Sequence, residues 1–286
     1  MAKSIQTNLQ DSATKSEWQL RHTPIVRVMH WLNVICFFVL LMSGLNIFNS
    51  NSSLFWGKSS YNGTLPVLQI KGSITNQGTM VGTTTLFGHS FNTTGIFGAS
   101  TLNGNPTVRA FPSWMTIPDR KFLAMARLWH FFFAWVFVIN GALYIIYAIV
   151  SRHLARDLAP TRKDWQGFWQ SIKDHMRFKH PTGEAAKHYN ILQKLTYLIV
   201  IFVLLPMVIL MGLAMSPMTN TVITGWVDWF GGRQSARTLH FLVAWALVAF
   251  VFIHVFLVIV TGLWNNMRSM ITGRYEIMHH NEGDTT

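Results

Sequence analysis

Four of the twelve histidines lie inside apolar runs: His30, His130, His240 and His254. His240 and His254 bracket a stretch with no other ionisable residue, fourteen positions apart. On a helix, fourteen steps of about 100° return to within about 40° of the start and climb roughly 21 Å. Three of the four histidines follow an arginine by three residues, in RVMH (Arg27–His30), RLWH (Arg127–His130) and RTLH (Arg237–His240). Residues at i and i+3 share a helix face. In each case the arginine is one turn nearer the membrane surface. A cofactor with an anionic edge at the surface and a metal deeper inside calls for this arrangement. Haem b is such a cofactor, because iron takes imidazole nitrogen and the propionates take guanidinium. His30, His130, His240 and His254 are the candidate axial ligands, and Arg27, Arg127 and Arg237 the candidate propionate partners. Any one of these histidines has an ordinary alternative as a packing or proton-relay residue. Four together need shared partners, since an unpaired polar group in hydrocarbon costs on the order of several kcal/mol.

The elements that must position them follow from composition. The chain has 286 residues, half of them hydrophobic, with 12% charged and a net charge of +12. About 25% charged is usual for soluble domains, so an integral membrane protein is expected. The basic residues gather in particular loops, which argues against nucleic-acid binding. Four apolar segments reach the roughly 20 residues a spanning helix needs: 25–48, 122–150, 191–215 and 236–263. The first is too long for a signal-peptide core and lacks a cleavage pattern, so it reads as a retained span. Pro206 should kink the third. The fold class is therefore an all-α membrane protein, a four-helix bundle. Cys36 is the single cysteine, which excludes an intrachain disulfide, a cysteine-ligated iron–sulfur cluster and a C-x-x-C-H site for covalent haem.

Loop charge sets the orientation. Residues 151–190 carry eight Lys and Arg, whereas 216–235 carry only Arg233. By the positive-inside rule residues 151–190 are cytoplasmic, together with both termini. The expected organisation is a cytoplasmic segment 1–23 and a haem-binding membrane domain 24–263 with a cytoplasmic tail 264–286. The domain includes an extracytoplasmic loop, 49–121, and the basic loop, 151–190. Depth then pairs His30 with His254 and His130 with His240, one haem near each face. The 49–121 loop is rich in Gly, Thr, Ser and Asn between short apolar stretches, which suggests strand pairs. It is either a docking surface for a soluble partner or an ordinary loop packed over the helices. Gly44 and Gly141 fall near the two haem depths, where glycine serves either a close macrocycle or ordinary helix packing. His22, His89, His153, His175, His180, His279 and His280 read as solvated, whereas His188 is a candidate to pass protons to water.

The chain resembles the diheme cytochrome b membrane subunits of bacterial formate dehydrogenases, nickel–iron hydrogenases and thiosulfate reductases. The resemblance spans all four helices and rests on RHTPIVRVMHWLN, on RLWHFFFAW and on the fourth-helix histidine pair. It implies two non-covalent haems b on the four histidines. KHYNILQKLTY (Lys187–Tyr197) is similar to the family's Y-N-x-x-Q-K motif beside a quinone site. That makes Asn190, Gln193, Tyr189 and Lys194 candidate quinone contacts; a helix cap with a snorkelling Lys194 is the bland alternative. Leu192 replaces a glycine that some members carry in this motif. The long first loop is closer to the thiosulfate-reductase branch, whose genes often accompany a molybdopterin oxidoreductase. The expected function is electron transfer between the quinone pool and an extracytoplasmic redox subunit, across a bacterial inner membrane. The alternatives are a stand-alone cytochrome b acting on a small substrate such as superoxide, and a transporter using histidines as proton carriers.

Overall fold

Four long apolar helices dominate the computed structural model, which describes residues 15–60, 63–152, 159–176 and 191–279. In chain order they are α1 (Pro24–Ser50), α2 (Leu123–Val150), a composite third span (Ile191–Met215) and α8 (Arg233–Val260). At 25 to 28 residues each is long and apolar enough to cross a membrane. The fourth stops earlier than its hydropathy suggests, because Gly262 adopts φ 110 and breaks the helix. A separate helix, α9 (Leu263–Thr272), follows. The third span joins α5 (Ile191–Ile199) to α6 (Leu205–Met215) through a π-helical turn, Val200–Leu204. Pro206 has no N–H and its ring crowds the carbonyl four residues back, so the wider turn precedes it. The amphipathic α3 (Arg162–Gln166) and α4 (Phe168–Met176) stand between α2 and α5, and α7 (Pro217–Val222) precedes α8.

The chain forms two compact units. One comprises Met1–His30, Tyr144–Ile199 and Phe250–Thr286; the other comprises Trp31–Leu143 and Val200–Ala249. In the first, β1 (Lys15–Leu20) and β8 (Arg274–His279) pair antiparallel, Lys15 opposite His279 and Leu20 opposite Arg274. Residues 15–20 and 274–279, which belong to the expected terminal segments, thus pair as a ribbon. Asn265 ties α9 to this ribbon by bonding both the Glu276 N–H and its carbonyl.

In the second unit the 49–121 segment is a β-rich subdomain. Strands β2 (Ser53–Leu54), β3 (Leu68–Ile74), β4 (Met80–Leu86) and β5 (His89–Asn92) form one antiparallel sheet in sequence order. A second ribbon pairs β6 (Gly98–Leu102) with β7 (Asn105–Arg109). Its approach to β3 and β4 depends on glycine. A β-carbon on Gly72 would lie 2.1 Å from the Gly98 carbonyl oxygen, and one on Gly82 2.0 Å from that of Phe97. Polar side chains fasten the subdomain to the helices. Asn49 exchanges bonds with the Phe111 N–H (2.7 Å) and carbonyl (3.2 Å), and Asn46 donates to the carbonyls of Pro118 and Arg120. The Arg109 guanidinium donates to Phe111 O, Asp119 O and Thr116 Oγ1. Burial lowers its pKa, an effect the charge of Asp119 opposes. Leu45, Phe48, Leu54, Ile70, Ala110 and Phe111 form the shared core.

Candidate functional site

Each unit contains one histidine pair. In the first, His30 of α1 and His254 of α8 have ring centres 6.5 Å apart, with an interplanar angle of 57°. In the second, His130 of α2 and His240 of α8 have ring centres 6.3 Å apart at 67°. The pairing is the one that depth along the helices predicts. Among the described residues no group of three His, Cys, Asp or Glu side chains converges. Among its described residues, each unit therefore offers a close pair of imidazoles and not a cage.

The second pair is held by its neighbours. His130 Nδ1 lies 3.1 Å from Leu40 O and 3.1 Å from Ser43 Oγ. His240 Nδ1 lies 2.8 Å from Val208 O. A carbonyl oxygen only accepts, so both Nδ1 atoms carry the proton and both Nε2 atoms keep a free lone pair. This is the usual outer support of a metal-binding imidazole, which fixes tautomer and ring orientation. Glycines stand against both rings. A β-carbon on Gly44 would sit 3.3 Å from His130 Cε1, and one on Gly212 3.5 Å from His240 Cε1. Gly44 was legible from its spacing to His30. Gly212 and Ser43 were not: their only signal is a small residue within an apolar run. Beside Gly141 a β-carbon would meet nothing within 4 Å. In the first pair, Phe250 stacks on His254 with ring centres 5.8 Å apart.

These features fit haem. Two imidazoles on opposite sides of one metal ion, each bonded at about 2 Å, hold their ring centres about 6 Å apart. Both observed separations suit one iron per pair. The remaining equatorial donors are those a macrocycle brings.

The three arginines differ. Arg27 Nη1 donates to Ile271 O, while its Nε is buried without a hydrogen-bond partner, a donor that an anion would satisfy. Arg127 is exposed, its guanidinium 6.0 Å from the Phe131 ring. Arg237 donates through Nη1 to Ser53 O (2.9 Å) and through Nη2 to Asn51 O. It belongs to a clasp in which segment 51–58 wraps the start of α8. Thr238 Oγ1 donates to Phe55 O, and the N–H groups of Gln234 and Ser235 both donate to Gly57 O. The clasp satisfies donors that a helix N-terminus leaves open and sets the position of His240.

Of the quinone candidates, Tyr189 and Asn190 lie outside the described residues, as does His188. Gln193 and Lys194 are in the first turn of α5. Lys194 does not snorkel: it is 8% exposed and its ammonium is 2.9 Å from Asp164 Oδ2. Asp164 also accepts from the Thr161 N–H in the capping box that starts α3. Burial pushes the Asp164 carboxyl up, but its bonds from Lys194 and Thr161 outweigh this and hold it below the ordinary carboxylate value.

The family model described as prokaryotic cytochrome b561 matches residues 21–273. A candidate protein-methionine-sulfoxide reductase subunit of Azospira oryzae, YedZ1, is 31% identical over 136 residues. That alignment takes in 48% of this chain and 66% of the relative, just under two thirds of its length. No solved structure gives a significant match.

Proposed function

The chain belongs to the prokaryotic cytochrome b561 family of membrane haem proteins, and from that premise we propose that it holds two haems b and links the quinone pool to a redox partner. One haem lies between His30 and His254, the other between His130 and His240. The observation that carries this reading is the two facing histidine pairs, 6.5 and 6.3 Å between ring centres. Bound haem supplies reversible one-electron iron chemistry. The Nδ1 bonds to Leu40 O and Val208 O would leave the Nε2 lone pairs of His130 and His240 available to the iron. Arg27 and Arg127 hold propionates. Arg237 can do so through the donors its clasp leaves, since a guanidinium has five N–H groups.

The quinone headgroup binds at the start of α5, held by Tyr189, Asn190, Gln193 and Lys194. Both termini and the 151–190 loop are cytoplasmic. The four candidate spans among the described residues and the pairing of β1 with β8 support that arrangement. The 49–121 subdomain then faces outward and docks the partner. The relative's name, a reductase subunit, supports such a role. The resemblance to the thiosulfate-reductase branch makes a molybdopterin oxidoreductase the partner, in a bacterial inner membrane.

The test is haem stoichiometry. The purified protein should give two haems per chain by pyridine haemochrome, both extractable by acid–acetone. One haem per chain, or none, removes the proposal.

A further inference from the structure

The unit that carries both termini has two short helical segments, α3–α4 and α9, with tryptophan on their exposed faces. Trp165 of α3 and Trp169 of α4 are 55% and 72% exposed, and Trp264 and Ile271 of α9 are 81% and 60% exposed. Neither helix can span. At nine and ten residues, α4 and α9 are about 15 Å long, half the hydrocarbon thickness. Both share one design. Across α3 and α4, Trp165, Trp169 and Ile172 recur at i, i+4 and i+7 and make one stripe. Arg162 and Lys173, both exposed, border that stripe at about 100° per residue. The opposite edge faces protein, where Asp164 bonds Lys194 of α5 and Ser171 is buried. In α9, Trp264 and Ile271 share a face, and the exposed Arg274 follows its last turn.

We infer that α3–α4 and α9 lie in the headgroup layer of the membrane, with their tryptophans at the acyl boundary and their cations on anionic phospholipid. Aromatic side chains with a polar edge favour that layer, and a basic border adds attraction to anionic lipid. Continuity supports a lipid occupant, because α9 follows α8 after two residues and α4 packs on the foot of α5, both lipid-spanning helices. Charge argues against a second copy of the chain. Asp164 of α3 and Glu276 of β8 are already paired with Lys194 and Arg268, and Asp174 of α4 falls nine positions from Trp165, about 180° around the helix from the tryptophan stripe. Two such faces would bring cation against cation.

The test uses full-length protein in nanodiscs containing phosphatidylglycerol. A Cys36→Ser background allows single nitroxide labels, and monodispersity checks the fold of each variant. At Trp169→Cys and Trp264→Cys, collision with lipid-soluble oxygen relative to an aqueous nickel chelate should be several-fold higher than at Lys163→Cys and Gln170→Cys. Replacing phosphatidylglycerol by phosphatidylcholine should lower the ratio at Trp169→Cys. Equal ratios at all four positions would place the helices in water and overturn the inference. Exclusion of both reagents at positions 169 and 264 would mean protein covers these faces, and overturns it too. A ratio indifferent to lipid charge removes the anionic partner.

Discussion

His130 and His240 each give the Nδ1 proton to a backbone carbonyl on another helix, and each ring rests against a glycine. That packing makes a steric prediction. Gly44→Val or Gly212→Val should displace an imidazole and delete the haem of the His130–His240 pair, leaving the other, as low-temperature absorption spectra would reveal. His130→Ala and His240→Ala should match that phenotype, and His30→Ala and His254→Ala should share a different one. If His30→Ala behaved like His240→Ala, the pairing would be wrong. For the arginines the expected effect is on potential. A nearby cation favours the reduced, more negative haem, so Arg127→Gln should lower one midpoint in a redox titration while both haems stay bound.

Among the elements, the β-rich subdomain and the α3–α4 segment each hang on a few buried polar contacts. Asn49 satisfies both backbone groups of Phe111. Asn49→Ala strands them, at a cost of about 1–3 kcal/mol, and should speed proteolysis within 60–110 while the helices persist. Asp164 offers a pH test. Its folded value lies below the ordinary carboxylate value, so its stabilising contribution is complete above that ordinary value, about 4. The contribution is lost as pH falls through the folded value. Amide exchange across 162–176 should therefore quicken in acid after correction for intrinsic rates, and Asp164→Asn should show the faster exchange already at neutral pH. Strand pairs in 49–121 were legible from turn residues between apolar stretches. Their packing was not, because contact between Gly72 and Gly98 depends on residues far apart in sequence.

For the molecule as a whole, orientation and quinone chemistry are the open tests. A fluorescent protein fused to the C-terminus should be bright, as cytoplasmic fusions are, and alkaline phosphatase inserted near Gly88 should be active. The reverse pattern would invert the proposed topology. Asn190→Ala with Gln193→Ala should slow haem reduction by a quinol analogue at least several-fold, with dithionite reduction and spectra unchanged. A wild-type rate would move the quinone site elsewhere. Four spans, their histidines and the pairing by depth were all present in the one-dimensional pattern. A spanning helix satisfies its own backbone bonds, and its rise per residue converts sequence position directly into height. What height cannot encode is direction around and between helices. Only the tertiary structure directed Arg237 to the carbonyls of Asn51 and Ser53, buried Lys194 against Asp164 and set Gly212 beside His240. Each of those contacts joins residues at least twenty-eight positions apart, where periodicity carries no information and packing decides.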